Sequence, residues 1–336
     1  MKHEIDLSNY QIHTDLAVDI PELKQETEKR EGISISTVHL TKEEGKRIGK
    51  KEGYYITLEF EDITDFQNRE LVTQCFQEQI EKIFQLIQIA ETASVLIIGL
   101  GNEASTPDSL GPKVIKQILV TNHLFLLSTP EEGFRSVAAF APGVMGQTGI
   151  ETSDFIHSIV TALHPDFLIV IDALASTSLS RLNKTIQISD AGIHPGSGVG
   201  NQRKEISRET IGIPVIAIGI PTVVDAVTIV SDTFSYMEQH YAFHQQFQKR
   251  AMSKFIPSSS INYLKENQHL TKEEKKQLFG VLGSLGEEDT KELLFEVLTP
   301  IGYNLMVTPK EVDFLMNHLV DVLSHGLDRA LHKKLQ

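Results

Sequence analysis

The chain predicts an α/β fold, with a twisted, largely parallel sheet, helices on both faces and a helical insertion near the C-terminus. Three observations carry this reading. Two short uninterrupted apolar runs, SVLIIG at 94–99 and FLIVID at 167–172, have the signature of strands buried on both faces. Stretches of helical spacing fall between the strand candidates, the alternating order that right-handed crossover units produce. From about 255 to 309 the strand signals vanish in favour of short helices.

Taken in order, residues 1–32 are polar and acidic with little periodicity, and read as a loosely attached arm ahead of the first strand, at 33–40. A second strand follows at 54–60 (YYITLEF). Leu71, Cys75, Phe76, Ile80, Phe84 and Ile87 then recur at helical spacing over 70–89. After the strand at 94–99 come helices near 110–121 and 151–163, the strand at 167–172, strands at 186–189 and 215–220, and a helix over 223–247. Pro257, Ser258, Ser259 and Ser260 open a loop into the insertion, whose helices near 271–282 and 287–298 are separated by Gly283 and Gly286. Thr308, Pro309 and Glu311 have the spacing of an N-cap, a first-turn proline and a capping-box acid. The apolar stripe of Val312, Leu315, Met316, Leu319 and Val322 follows them.

Composition narrows the function. The 336 residues carry 31 Lys and Arg against 45 Asp and Glu, a net charge of −14 that disfavours direct nucleic-acid binding over most of the surface. The single cysteine, Cys75, cannot form an internal disulfide and sits in an amphipathic stretch, as a buried apolar contact does. The opening MKHEIDLSNYQIHTDLAVDIPE lacks the apolar stretch of an export signal, and no window reaches the length of a membrane span. A cytoplasmic location with no membrane partner is expected.

Two acids follow buried strands at their carboxyl ends, where open α/β sheets place ligands. Asp172 ends FLIVID, and Asp108 lies in the turn GLGNEASTPDSLGP (99–112) after SVLIIG. If the strands are neighbours, both carboxylates face one crevice. One can then activate water while the other protonates a leaving group. Hydrolysis of an amide by that route needs donors for the oxyanion, and the backbone N–H groups of Gly99, Leu100, Gly101 and Asn102, or the Asn102 side chain, are candidates. Pattern alone also accommodates Asp108 as a helix-start acid and Asp172 as a strand-end solvent contact. Three more glycine-rich loops, at 141–154, 194–205 and 219–226, are expected along the crevice. His194, before Pro195, is a candidate substrate contact, with an ordinary hydrogen-bonding role as the alternative. No HExxH, paired-cysteine or calcium-loop spacing is present, so no metal or cofactor is expected.

A competing reading comes from residues 99–104, GLGNEA, which fit the permissive dinucleotide fingerprint GxGxxA after a strand. Ser105, Thr106 and Pro107 delay the helix that should begin inside the motif, and no acid ends a second strand at the distance a ribose requires. Neither a GxSxG elbow nor a P-loop occurs.

The segments GLGNEASTPDSLGP, PGVMGQTGIETSD, PDFLIVIDALA, TIQISDAGIHPGSGVGNQRKEIS, GIPVIAIGIPTVVDAV and NLMVTPKEVD, in that order, resemble the germination proteases of endospore-forming bacteria. The resemblance runs from IDLSNY near the start to ALH near the end. It implies an endopeptidase of the spore core that degrades small acid-soluble spore proteins, by an atypical aspartic mechanism using Asp108 and Asp172. It further implies a homotetramer, and an inactive precursor that removes its own N-terminal segment. His13, Thr14, Asp15, Leu16 and Ala17 resemble the substrate motif of an acid, a large apolar residue and alanine. Cleavage is expected between Asp15 and Leu16, dividing the chain into a propeptide arm, 1–15, and a single protease domain, 16–336, with its insertion at about 255–309. Ser176 and Thr177 replace a more usual small residue and arginine after DALA. The family is similar in fold to hydrogenase maturation endopeptidases. In that comparison the two aspartates fall where those enzymes place acidic metal ligands, and the third ligand, a histidine, has no located counterpart.

Overall fold

The computed structural model describes residues 15–20, 23–127, 130–196, 204–249, 270–298 and 305–335. Its strands are β1 (Glu26–Arg30), β2 (Ile33–Leu40), β3 (Gly53–Glu59), β4 (Val95–Gly99), β5 (Val137–Phe140), β6 (Phe167–Ser176), β7 (Thr185–Ser189), β8 (Val215–Asp225) and β9 (Met306–Val307). The helices up to the middle of the chain are α1 (Lys42–Ile48), α2 (Phe66–Leu86), α3 (Leu110–Gln117), α4 (Asn122–Leu127), α5 (Met145–Thr148) and α6 (Thr152–Leu163). Those that follow are α7 (Arg208–Ile211), α8 (Ala226–Lys249), α9 (Lys272–Phe279), α10 (Glu287–Leu298) and α11 (Val312–Leu331).

One sheet takes the order β1-β2-β3-β7-β8-β6-β4-β5, with β9 pairing the last residues of β8. The α/β class is as read, and the direction of the strands divides the sheet. β5, β4 and β6 are parallel, and β4 and the Phe167–Asp172 run of β6 are buried on both faces as SVLIIG and FLIVID imply. β1, β2, β3 and β7 pair antiparallel, as do β7 and β8.

Side-chain alternation sorts the sheet into two faces. Ile56 and Leu58 of β3, Ile186 and Ile188 of β7, Ile216, Ile218 and Ile220 of β8, and Phe167, Ile169 and Ile171 of β6 share one core with α2, α3 and α11. On the other face Leu96 and Ile98 of β4 and Leu168 and Val170 of β6 meet Ile156 and Val160 of α6. Helices α2 and α11 touch each other on the first face, where a Cβ added at Gly326 would fall 2.4 Å from the Phe76 ring. Cys75 is buried in that core, the apolar role its position implied.

β5, β9, α4, α5 and α7 have no counterpart in the sequence reading, and three further departures are instructive. Residues 1–32 were expected to be a loose arm. Instead β1 forms a hairpin with β2 through Glu31 and Gly32, whose φ values of 48° and 87° suit a tight two-residue turn. The strand ETEKR has no apolar alternation to betray it, and its charges are those of an exposed edge. The last helix starts at Val312, not near Thr308, because the Thr308 hydroxyl donates to the Thr222 carbonyl at 2.9 Å instead of capping. Helix α1 was not foreseen, although Thr41 and Glu44 form a full capping box at its start.

Among the described residues, 224–307 form a compact unit of their own, and 15–223 with 308–335 form the other. In the smaller unit α10 packs on α8, Phe234 and Phe279 meet edge to face at 5.5 Å, and Lys275 pairs with Glu238 at 2.8 Å. The helical character expected for the insertion is present in α9 and α10. Residues 250–269 and 299–304 of that stretch lie outside the described residues.

Candidate active site

The parallel half of the sheet brings the two aspartate-bearing segments side by side. Gly99 at the end of β4 lies opposite Ile171 of β6, and the Leu100 N–H continues the ladder by donating to the Ile171 carbonyl at 2.8 Å. Asp172 is therefore the next residue of β6 after that bond, and the turn that carries Asp108 leaves the sheet beside it. Alternation puts Asp172 on the same face as Leu168 and Val170, with only 6% of its surface exposed. Its Oδ1 accepts the N–H of Ala173 at 2.9 Å.

Asp108 is fixed by a tight turn. The Asn102 N–H donates to both the carbonyl and Oδ2 of Asp108, at 3.0 and 2.9 Å, and the Asp108 N–H donates to the Ser105 carbonyl at 2.8 Å. The 3-10 turn Thr106–Asp108 touches β6, and Thr222 of β8 donates its hydroxyl to the Pro107 carbonyl at 2.7 Å. Gly101 is required here. Its φ is +111°, and a Cβ would lie 2.0 Å from the Asp108 carbonyl oxygen. Of the oxyanion candidates, Asn102 thus has its N–H engaged by Asp108, while its Oδ1 accepts from Ala104 N–H and from Gln147 Nε2 at 2.8 Å. That last bond ties the glycine-rich loop at 141–154 to the turn. His194 is half exposed, with Nε2 3.6 Å from a Glu205 carboxylate oxygen, and it follows Ile193, which packs beside Leu16. Residues 197–203 of its loop lie outside the described residues.

The segment beginning at Asp15 lies along the same face, past Asp172. Residues 1–14, including His13 and Thr14 of the expected cleavage motif, lie outside the described residues. Asp15 bonds to β6 as an extended neighbour would: its N–H donates to the Ala175 carbonyl at 3.3 Å, and its Oδ2 accepts the Ala175 N–H at 2.9 Å. Leu16 is 0% exposed and packs with Val18 and Leu174. Leu174 is two residues from Asp172 and on its face of the strand. Beneath the segment, Gly219 of β8 leaves room, since a Cβ there would strike the Leu174 side chain at 2.4 Å.

Three side chains that no local pattern marks hold this segment. Lys50 Nζ and Gln187 Nε2 both donate to the Asp15 carbonyl, at 3.1 and 3.0 Å, and Gln187 Oε1 accepts the Ala17 N–H at 2.7 Å. Helix α1 delivers Lys50: Gly49 stops it in the left-handed conformation and the Lys50 N–H folds back onto the Gly45 carbonyl at 2.9 Å. Burial pushes the Lys50 amine below its ordinary value, while the charges of Asp15 and Asp19 push it back up. Asp19, with its side chain 1% exposed, is the third. It accepts from the Ser176 hydroxyl at 3.3 Å, from the N–H and hydroxyl of Thr177 at 3.2 and 3.1 Å, and from Arg181. Arg181 also pairs with Glu59 at 2.8 Å. Ser176 and Thr177, the substituted pair after DALA, thus serve Asp19.

Among the described residues, no group of three or more His, Cys, Asp or Glu is placed to hold an ion. Nor is any described helix long and apolar enough to cross a membrane.

Residues 2–336 match the family described as germination protease. Germination proteases of a Geobacillus strain, Priestia megaterium and Bacillus subtilis are 46%, 44% and 46% identical to this chain, over 100%, 100% and 99% of it and 97% of each relative. Among solved structures, the [NiFe] hydrogenase maturation protease HycI from Thermococcus kodakarensis aligns with 43% of this chain and 80% of its own, at 18% identity and a TM-score of 0.29. With a family match over nearly its whole length and relatives this similar, the chain belongs to the germination protease family and is a protease.

Proposed function

We propose that this protease is an endopeptidase of spore germination that hydrolyses peptide bonds with the carboxylates of Asp108 and Asp172. In this reading one carboxylate takes a proton from water as it attacks the peptide carbonyl, and the other gives a proton to the departing nitrogen. The observation that carries the reading is the register of β4 on β6, which sets the Asp108 turn next to Asp172 at the carboxyl ends of two adjacent parallel strands. The docked segment supports it further: the bond between Asp15 and Leu16 lies on the Asp172 face of β6, where a substrate would lie.

The finer expectations belong to the same proposal. The chain is made as a precursor that releases residues 1–15 by its own action, acts in the spore core as a homotetramer, and takes small acid-soluble spore proteins as substrates. It needs no cofactor for this chemistry and no direct contact with nucleic acid, and His194 borders the substrate. The single protease domain then spans 16–336. The test is mass spectrometry of a small acid-soluble spore protein incubated with the full chain, beside Asp108→Asn and Asp172→Asn. Cleavage after an acid, lost in both variants, is expected; full activity in either variant would remove the two-carboxylate mechanism.

A further inference from the structure

We infer that Lys50 and Gln187 together form the oxyanion-binding pair of this protease, gripping the carbonyl oxygen of the residue that precedes the cut bond. The inference rests on the proposed self-cleavage between Asp15 and Leu16. It assigns to two residues a role that neither sequence pattern nor family match suggests.

The geometry is that of a carbonyl held by donors before any reaction. The Asp15 oxygen receives Lys50 Nζ at 3.1 Å and Gln187 Nε2 at 3.0 Å, the distances at which fixed donors stabilise an oxyanion. Gln187 holds the chain at two points, since its Oε1 takes the Ala17 N–H at 2.7 Å. Those points flank Leu16, which is extended, with φ −83° and ψ 128°. This grip touches only main-chain atoms, so it suits any extended peptide laid along β6, not this segment alone. The N–H of Asn102, the earlier candidate donor, is meanwhile occupied by Asp108.

The chemistry follows from those positions. Water bonds to the Asp15 carbonyl carbon and yields a proton to the carboxylate pair. The carbonyl π electrons move onto the oxygen, whose negative charge grows between a cationic ammonium and an amide N–H. Lys50 is half-buried, so its charge acts on that oxygen with less screening than in bulk water. When the electron pair returns, the carbon–nitrogen bond breaks, and the Leu16 nitrogen leaves with a proton from the carboxylate pair. Asp15 ends as a free acid and Leu16 as a new amino terminus.

The experiment measures release of residues 1–15 from the full chain by intact mass. This cleavage is intramolecular and first order, so its rate constant reports the chemical step with binding already made. Lys50→Met is expected to slow release by about 100-fold or more, the scale of losing one oxyanion donor, and Lys50→Arg to recover part of the rate. Gln187→Glu is the sharper probe. It keeps the acceptor for Ala17 and the side-chain shape, replaces the donor by a carboxylate, and is expected to slow release at neutral pH, with recovery as the introduced carboxyl protonates on acidification. A purely structural role would leave that pH signature absent. Release at the wild-type rate in Lys50→Met and Gln187→Glu, with Asp108→Asn inactive, would overturn the inference alone. A wild-type chain that releases nothing, or an Asp108→Asn chain that releases normally, would instead overturn the cleavage reading beneath it. Should Lys50→Met not fold, Gln187→Glu with its pH profile decides.

Discussion

Replacing Asp19 by alanine isolates what anchors the segment after the proposed cut. The substitution removes an acceptor from Ser176, from both donors of Thr177 and from Arg181, at a side chain that is 1% exposed. Breaking a buried ion pair by deleting one partner costs about 3–5 kcal/mol. Arg181 keeps Glu59 at 2.8 Å and is itself 23% exposed, so the loss belongs at the lower end, about 3 kcal/mol. The loss falls on the docking of the segment more than on the sheet, because Ser176 is the last residue of β6 and the other three donors, two on Thr177 and one on Arg181, lie beyond it. In native-state amide exchange, about 3 kcal/mol corresponds to opening that is roughly 100-fold more frequent. The Ala17 N–H, bonded to Gln187 inside the protein, is the reporter. Asp19→Ala should speed its exchange by about that factor while amides of β4 and β6 stay protected, and Asp19→Asn, which keeps one oxygen, should fall between. An exchange rate at Ala17 within threefold of wild type would refute the argument that Asp19 anchors the segment.

Two further predictions concern the scaffold. Gly326→Ala places a methyl 2.4 Å from the Phe76 ring where α11 meets α2, and overpacking of that kind should destabilise the larger unit by about 1–3 kcal/mol, read as a lowered denaturant midpoint. His332 is 0% exposed, its Nδ1 accepts the Arg135 N–H at 3.2 Å, and burial lowers its pKa from 6.5. Below that value the unfolded chain takes up a proton that the folded chain refuses, so this contribution is present above pH 6.5 and is lost as pH falls toward the depressed value. His332→Asn, which retains an acceptor and cannot titrate, should show a shallower fall in melting temperature between about pH 7 and about pH 5. Parallel slopes in the two proteins would remove His332 as the cause.

Legibility in the sequence followed burial on both faces. SVLIIG and FLIVID announce themselves because every residue must be apolar, and the acid closing each strand or its turn then stands out. ETEKR of β1 carries no such mark, since an edge strand exposed on its free side needs only main-chain pairing. The direction of pairing was equally hidden: the alternation of β2 marks a strand but not the direction of its partner, and β3 runs antiparallel to both β2 and β7. Lys50 and Gln187 were beyond any local pattern. Lys50 lies in a polar stretch after α1, and Gln187 is one of three polar residues on the second face of β7. Only the fold brings them to one carbonyl, from positions 35 and 172 residues away along the chain.

That separation also bears on when the proposed self-cleavage can occur. Synthesis runs from the N-terminus, and Asp15 emerges long before the strands that grip it. Ala175 and Gln187 come later still, and β6 and β7 are joined in the sheet only through β8, which ends at Asp225. Contacts of such long range form late in folding, after the entropy of closing large loops has been overcome. A nascent or half-folded chain therefore has nowhere to seat its own N-terminal segment. Under the proposed self-cleavage, the grip on Asp15 is a checkpoint on completed folding, and its topology sets the order as synthesis, then assembly of the sheet, then release of the segment.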